Sequence, residues 1–372
     1  MERSQADAGT DLATPVSSSS ERSAPFSQAL GTERRPPAAT DVARLARVSY
    51  QTVSRVVNGH PSVRPSTRAR VLAAIQQLGY HPNSAARDLA TGRSRTLGVI
   101  ALDSAHWSGL PTLYGIERVA RLSGHFVSVV SLDRVDRPSM RDAGIQLANQ
   151  AVAGVVVLVP IDSANEALAE LPEDLPAVAI EGEPDAKIAV ATVDQEAGAR
   201  AATEHLLGEG HVTVFHLAGP PEWHQSQERI DGWRGALETA GAEVVVPLHG
   251  DWSARSGYDA GKMLARIPDM SAIFVANDQM ALGVIQALHE RGRSVPADVS
   301  VVGFDDIPEA AYFRPPLTTV CQDFEEVGRQ ALRLLLDQVA SGSRTVERKE
   351  IETRLIVRES TSPPQTPKSS LL

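Results

Sequence analysis

A single cysteine, Cys321, leaves this 372-residue chain without an intrachain disulfide or a thiolate zinc cluster, so folding requires no oxidising compartment. Aromatic residues make up only 4% of the chain, so each tryptophan is informative. No apolar run approaches the roughly 18 to 20 residues of a membrane span. The longest, at 151–159, stops at Pro160 and is strand-sized. Residues 1–37 lack the apolar core of a secretion signal, are rich in Ser, Ala, Thr and Pro, and read as a disordered tail. A soluble cytoplasmic protein, associated with the nucleoid if it binds DNA, is therefore expected, without a membrane partner.

Catalytic signatures are also missing. The ten histidines show no metal-ligand spacing, with His205 and His211 expected at the surface, and no nucleophile elbow, P-loop or GxGxxG turn occurs. Asp305 and Asp306 are adjacent carboxylates, but successive residues at a strand end point in opposite directions and make a poor general acid–base pair. The expectation is a protein that is not an enzyme and carries no cofactor or metal. Cys321 is expected to be a buried, inert thiol.

What is present is globular. Hydrophobic residues at 42% and charged residues at 22% are ordinary for packed domains, and the length suits two or three of them. The charge is unevenly placed. Residues 38–95 carry nine arginines against two acids, a net +7, whereas the rest of the chain stands at −17. A basic module of about sixty residues on an acidic body points to a polyanion at one end only.

The basic module reads TDVARLARVSYQTVSRVVNGHPSVRPSTRARVLAAIQQLGYHPN from Thr40. Val42, Leu45 and Ala46 share one helical face; a break follows at Arg47 and Val48, and Ser49 can N-cap a second helix from Tyr50 to about Asn58. A third helix runs over 66–78, with Val71, Leu72, Ile75 and Leu78 facing the first two and Gly79 ending it. Two short helices joined tightly and braced by a third form the helix-turn-helix layout, whose second helix enters the major groove. Arg can present a fork to guanine, Gln can exchange two hydrogen bonds with adenine, and short hydroxyl and amide groups suit phosphate oxygens.

From Leu97 onward short apolar runs alternate with amphipathic stretches at 112–123, 195–208, 253–266 and 279–291. Alternating strands and helices imply parallel sheets wound on both faces, and about eleven strands imply two α/β subdomains. AEVVVPL, at 242–248, is among the expected strands. Ligands in such folds bind beyond the carboxyl ends of strands, where this chain has Asp103, Glu181, Asp194, Asn277, Asp278, Asp305 and Asp306, with Arg229 opening a helix and Trp252 following a strand. Carboxylates, an amide and an Arg can grip vicinal hydroxyls while Trp covers the apolar face of a sugar ring.

VSYQTVSRVVN, LAGPPEWHQSQERIDGW, GDWSARSGY, VANDQMALG, SVVGFDD and PPLTTVCQDF together resemble the lac repressor (LacI/GalR) family of bacterial transcription regulators, closest in motifs to the member that gives the family its name. The resemblance runs from about 40 to 360. It implies an all-α helix-turn-helix domain ahead of an α/β core of two doubly wound parallel-sheet subdomains of the periplasmic-binding-protein type. The expected organisation is a tail over 1–37, the DNA-binding domain over 38–82, and a hinge helix and linker over 83–95. An N-terminal subdomain follows over 96–193 plus 323–350, a C-terminal subdomain over 194–322 plus 351–360, and a disordered tail over 361–372.

By the same resemblance, Tyr50, Gln51 and Arg55 face base edges, and Ser49, Thr52, Ser54 and Asn58 bond phosphates. Leu89, on a hinge helix at about 83–90, wedges into the minor groove of a kinked site. Arg229, Asn277 and Asp305 would bond effector hydroxyls, Trp252 and Phe324 would contact a sugar ring, and Gln322 would complete the site. Four departures stand out. Arg47 occupies the turn where the family usually has Gly, and Ala38 stands where a Thr caps the first helix, so Thr40 is the alternative cap. Glu181 replaces a pocket Asp, which leaves galactoside preference open. The C-terminal STSPPQTPKSSLL, polar and proline-rich, replaces a tetramerisation helix, so a homodimer on a palindromic double-stranded operator is expected. The leading expectation is a repressor of carbohydrate-utilisation genes released by a small sugar effector. The alternatives are a nucleobase-like co-repressor in place of the sugar, and a solute-binding protein of the same core fold.

Overall fold

The computed structural model describes residues 35, 37–80, 94–102, 109–134, 136–158, 171–182 and 186–365. The expected hinge helix, Leu89 and Asp103 lie outside them. The chain divides into two compact units, Met1–Arg87 and Asp88–Leu372.

In the first unit, α1 spans Ala39–Ala46, α2 Tyr50–Val57 and α3 Pro65–Leu78. The Ser49 hydroxyl accepts from the Thr52 N–H at 3.1 Å and starts α2; Gly79, at φ 60°, ends α3. Val42, Ala43, Ala46, Val53, Val56, Val71 and Ala74 form the core. Leu45 and Leu72, expected inside, are 42% and 51% exposed. With helices this short and close, the inward stripe falls on the small residues Ala43 and Ala74, and the bulkier leucines turn outward. Thr40 does not cap α1. It lies within the helix, and Ala38 is the N-cap, its N–H donating to Asp41 Oδ2 at 2.9 Å.

The second unit contains two six-stranded sheets. The first is ordered β11-β5-β4-β3-β1-β2, with β1 at Thr96–Leu102, β2 at Phe126–Leu132, β3 at Val155–Leu158, β4 at Ala177–Ile180, β5 at Ala189–Val193 and β11 at Arg348–Ile351. All its pairings are parallel. Alternation along β3 sends Val155 and Val157 to one face and Val156 to the other. Helix α5 (Arg137–Asn149) covers the first face, and α4 (Gly109–Leu122) and α10 (Phe324–Ser341) cover the second. Such two-sided burial explains why β3 and β4 read as unbroken apolar runs.

The second sheet is ordered β12-β10-β9-β8-β6-β7, with β6 at Phe215–Ala218, β7 at Leu248–His249, β8 at Ala272–Val275, β9 at Ser300–Asp305, β10 at Thr318–Cys321 and β12 at Arg354–Ile356. Only β12 runs antiparallel to its neighbour. Helices α8 (Ala254–Leu264) and α9 (Asp278–Glu290) pack on one face, and α6 (Gln195–Gly208) and α7 (His224–Thr239) on the other. The pair α8 and α9 crosses closely at Gly257 and Gly283, where a Cβ would collide with the facing backbone. The chain passes between the sheets three times: from β5 into α6, from β10 into α10, and from β11 into β12.

Four local expectations are corrected. The run 242–248 is a strand only at β7, with Val244 and Val246 exposed by 38% and 85%; Pro247 has no N–H to donate, and the segment lies at the sheet edge. His211 is buried, its Nδ1 paired with Ser271 Oγ at 2.8 Å and its Nε2 with the Ser362 carbonyl at 3.1 Å, and His205 is half-buried, bonded to Thr361 Oγ1 at 2.9 Å. Residues 361–365 are therefore docked chain, not free tail: Ser300 Oγ donates to the Ser362 carbonyl at 3.0 Å and accepts from the Ser362 N–H at 3.0 Å. Cys321, expected to be buried, is half-buried at the end of β10.

Candidate functional site

The strongest cluster of buried polar groups in the second unit lies at the crossovers. Arg229, in the second turn of α7, is 4% exposed. Its Nε donates to Gln195 Oε1 at 2.9 Å, its Nη1 donates to the Ala276 carbonyl, and its Nη2 lies 3.8 Å from Asp305 Oδ1. Gln195 Nε2 donates to Gln322 Oε1 at 2.9 Å, and Gln322 Nε2 to Asp305 Oδ1 at 2.6 Å. Arg229, Gln195, Gln322 and Asp305 thus close a polar ring. Gln195 opens α6 just past the first crossover, and Gln322 stands on the second. Two hydrogen bonds and an ion pair fix the orientation of this buried charged fork.

Two aromatic rings lie against the same cation. Arg229 Cζ lies 3.9 Å from the Phe304 ring centroid and 5.5 Å from that of Trp252. Trp252 takes a left-handed backbone, φ 72°, and rests its six-membered ring on Gly219, where a Cβ would collide with Cη2. Its indole Nε1 is buried without a hydrogen-bond partner, as are Ser226 Oγ and Glu228 Oε2 on α7, so polar groups near Arg229 remain open. Trp223 meets Trp252 edge to face at 5.7 Å. Asn277 N-caps α9, accepting from the Met280 N–H at 2.9 Å, and its Nδ2 donates to the Trp252 carbonyl at 3.0 Å and to Gln279 Oε1 at 2.9 Å. Its first duty is to hold the Trp252 loop.

Glu181 approaches from the first sheet, one residue beyond β4. It is 7% exposed, has φ 56°, and its Oε2 accepts from Thr192 Oγ1 at 2.7 Å. Burial pushes its carboxyl up to about 7, against the Thr192 bond; the charge of Glu228 adds to the rise and Arg229 opposes it. Burial likewise raises Asp305 to about 6, with Arg229 and Gln322 holding it down. Asp306 turns away, as adjacent strand-end residues should, and accepts from Arg358 Nη2 at 2.6 Å. Phe324 begins α10 at 9% exposure and has no ring contact with the other aromatics among the described residues.

Of the expected effector residues, then, Arg229, Trp252, Asn277, Asp305 and Gln322 converge. Glu181 faces them electrostatically from the other sheet, and Phe324 makes no ring contact with them among the described residues. Two flagged carboxylates are structural: Asp194 caps α6 through the Ala197 N–H at 2.9 Å, and Asp278 accepts from Thr319 Oγ1 at 2.6 Å and the Ile307 N–H at 2.9 Å. Gln195, Phe304 and Glu228 escaped the sequence reading. Gln195 and Phe304 each adjoin a flagged carboxylate, and adjacency was the available signal.

The first unit presents a different chemistry. Ser49, Tyr50, Gln51, Arg55 and Asn58 are exposed along α2, Tyr50 by 61%, while Thr52 and Ser54 are half-buried. The Tyr50 ring, the Gln51 amide and the Arg55 fork thus face water from one short helix. Ser49 Oγ also lies 3.0 Å from Thr52 Oγ1, and Asn58 Nδ2 donates to Ser54 Oγ at 3.4 Å, so the hydroxyls are pre-positioned in pairs. Arg47 has φ 52° and ψ 51°, a conformation that costs a non-glycine residue on the order of 1 kcal/mol. Among the described residues no group of His, Cys, Asp and Glu could hold a metal ion, and no helix is long and apolar enough to cross a membrane.

Residues 40–83 match the family model of bacterial regulatory proteins of the lacI family, and residues 203–361 match that of the periplasmic binding protein-like domain. The chain is 35% identical over 346 residues to the HTH-type transcriptional regulator CelR of Thermobifida fusca, covering 88% of this chain and 99% of the relative. This chain belongs to the lacI family. The lactose operon repressor of Klebsiella pneumoniae is also 35% identical, over 89% of this chain and 94% of its own. Among solved structures, the lac repressor dimer bound to operator and the anti-inducer ONPF matches with a TM-score of 0.82 at 34% identity, over 88% of this chain and all of that one. The complex of CelR with cellobiose matches with a TM-score of 0.66 at 34% identity, over 87% and 99% of the two chains. These relatives are transcription regulators, not enzymes. In this lacI-family chain the two parallel-sheet subdomains and the helix-turn-helix unit are the parts that regulators of the family share.

Proposed function

We propose that this protein is a cytoplasmic, non-enzymatic homodimeric repressor that reads a palindromic operator with α2 and releases it on binding a neutral saccharide in the second unit. The observation that carries the effector half is the polar ring of Arg229, Gln195, Gln322 and Asp305 beside the open indole donor of Trp252. Cation, amide and carboxylate groups already fixed by one another match a ligand that presents several hydroxyls to donors and acceptors together. The acids Glu181, Glu228 and Asp305 gather around Arg229, a field that favours an unphosphorylated sugar over an anion. The cellobiose held by CelR and the name of the lactose operon repressor support a saccharide of one or two rings.

On the DNA side, Tyr50, Gln51 and Arg55 are assigned to base edges, and Ser49, Thr52, Ser54 and Asn58 to phosphates. The test is a thermal-shift screen against mono- and disaccharides, their phosphorylated forms and nucleobases, with each stabilising compound then added to a labelled palindromic operator complex. A neutral sugar should raise the melting temperature by mass action and release the DNA. If a nucleobase alone stabilises the protein and tightens the operator complex, the sugar reading falls and a co-repressor takes its place. Arg55→Ala should abolish the preference for operator over random duplex while leaving sugar binding intact. Asp305→Asn, which keeps the Gln322 bond, should weaken sugar binding at least tenfold while leaving operator affinity unchanged.

A further inference from the structure

The arginines of the first unit sort by what they already hold. Arg44 pairs with Asp41 at 3.1 Å, Arg68 Nη2 donates to the His60 carbonyl at 2.6 Å, and Arg70 Nε donates to the Ala46 carbonyl at 3.1 Å. Within 39–79, the guanidinium groups of Arg47, Arg55 and Arg64 have no hydrogen bond or ion pair among the described residues. Arg55 has an assigned task on α2, and Arg64 belongs to the connection into α3, past the far end of α2. Arg47 has none, and its backbone is costly. It is an exposed residue in the left-handed region whose N–H closes α1 onto Ala43 and Arg44, a capping task that glycine performs without strain. Strain retained at one position invites a functional explanation.

Position supplies one. Arg47 stands two residues before Ser49, the N-cap of α2. Recognition helices enter the major groove by their N-terminal ends, so the turn just before such an end faces the wall of phosphates beside the groove. Resting on the assignment of α2 to DNA, we propose that Arg47 is a sequence-independent phosphate contact, which neutralises one backbone charge that a glycine turn leaves unpaired.

The experiment measures binding of full-length protein to a labelled palindromic duplex of lac-type half-sites and to a random duplex of equal length, across a salt series. Arg47→Gln and Arg47→Gly should bind both duplexes about three- to tenfold more weakly, preserve the ratio between them, and reduce the salt slope by about one per subunit. Arg47→Lys should keep the parent slope, and Arg47→Gly should melt no lower than the parent. If the slope is unchanged in Arg47→Gln, or if Arg47→Lys loses it too, the phosphate contact is overturned. If Arg55→Ala in the same series also keeps full preference for the palindrome, what fails is the assignment of α2 itself.

Discussion

Glu181 is a side chain that couples the molecule's stability to its solution. Its folded carboxyl titrates near 7, raised first by burial, against an ordinary 4.5. The group is neutral in both states below 4.5, so its stability contribution is complete there, and it is lost as pH climbs through 7 and a buried charge must form. That difference corresponds to roughly 3 kcal/mol. Glu181→Gln should therefore lose about that much less stability than the parent between pH 4.5 and pH 8, by urea denaturation at both values. Equal losses in the two proteins would mean that the carboxyl is hydrated in the native state. Glu181 was legible in the sequence as a carboxylate beyond a strand, and Arg229 and Asp305 as groups suited to hydroxyls. The ring that joins them was not, because Gln195 lies 34 residues from Arg229 and 127 from Gln322, and only folding brings uncharged amides of that separation together.

Among elements, α8 and α9 are set by a contact that periodicity cannot reveal. Gly257 and Gly283 sit where each helix touches the other's backbone, so the crossing distance depends on the absence of two methyl groups. Gly283→Ala removes a residue that weakens a helix interior, yet we expect a loss of about 1 to 3 kcal/mol from overpacking, read as a lower melting temperature. A gain in stability would mean that the two helices can separate without cost. Strands such as β3 and β4 were legible as unbroken apolar runs, while β5, equally buried but broken by Thr192, was not. At the sheet edge the same composition misled: Val244 and Val246 have the residue types of a strand but no partner that repays the pairing. In the first unit the helices were legible by cap and stop, Ser49 and Gly79, while the choice of Ala43 over Leu45 depended on how closely short helices pack.

For the whole molecule, effector and operator are expected to oppose each other through one equilibrium. If a sugar weakens operator binding by some factor, operator must weaken sugar binding by the same factor. Calorimetric titration of the sugar with and without saturating operator should reproduce the ratio measured by titrating operator with and without sugar. Unequal ratios would show that more than these two ligands enter the cycle.

The three crossings between the sheets also bear on how such a protein can change over generations. The DNA-reading helices form one continuous stretch of chain, so a single exchange of coding sequence can replace them. Neither lobe of the second unit has that freedom: α10 and β11 return to the first sheet after the second has been built, and β12 then crosses back. No single breakpoint within 194–356 frees one lobe intact. New pairings of operator and effector specificity can thus arrive by exchange of the whole first unit against the whole second, whereas the two lobes of the second cannot be inherited separately.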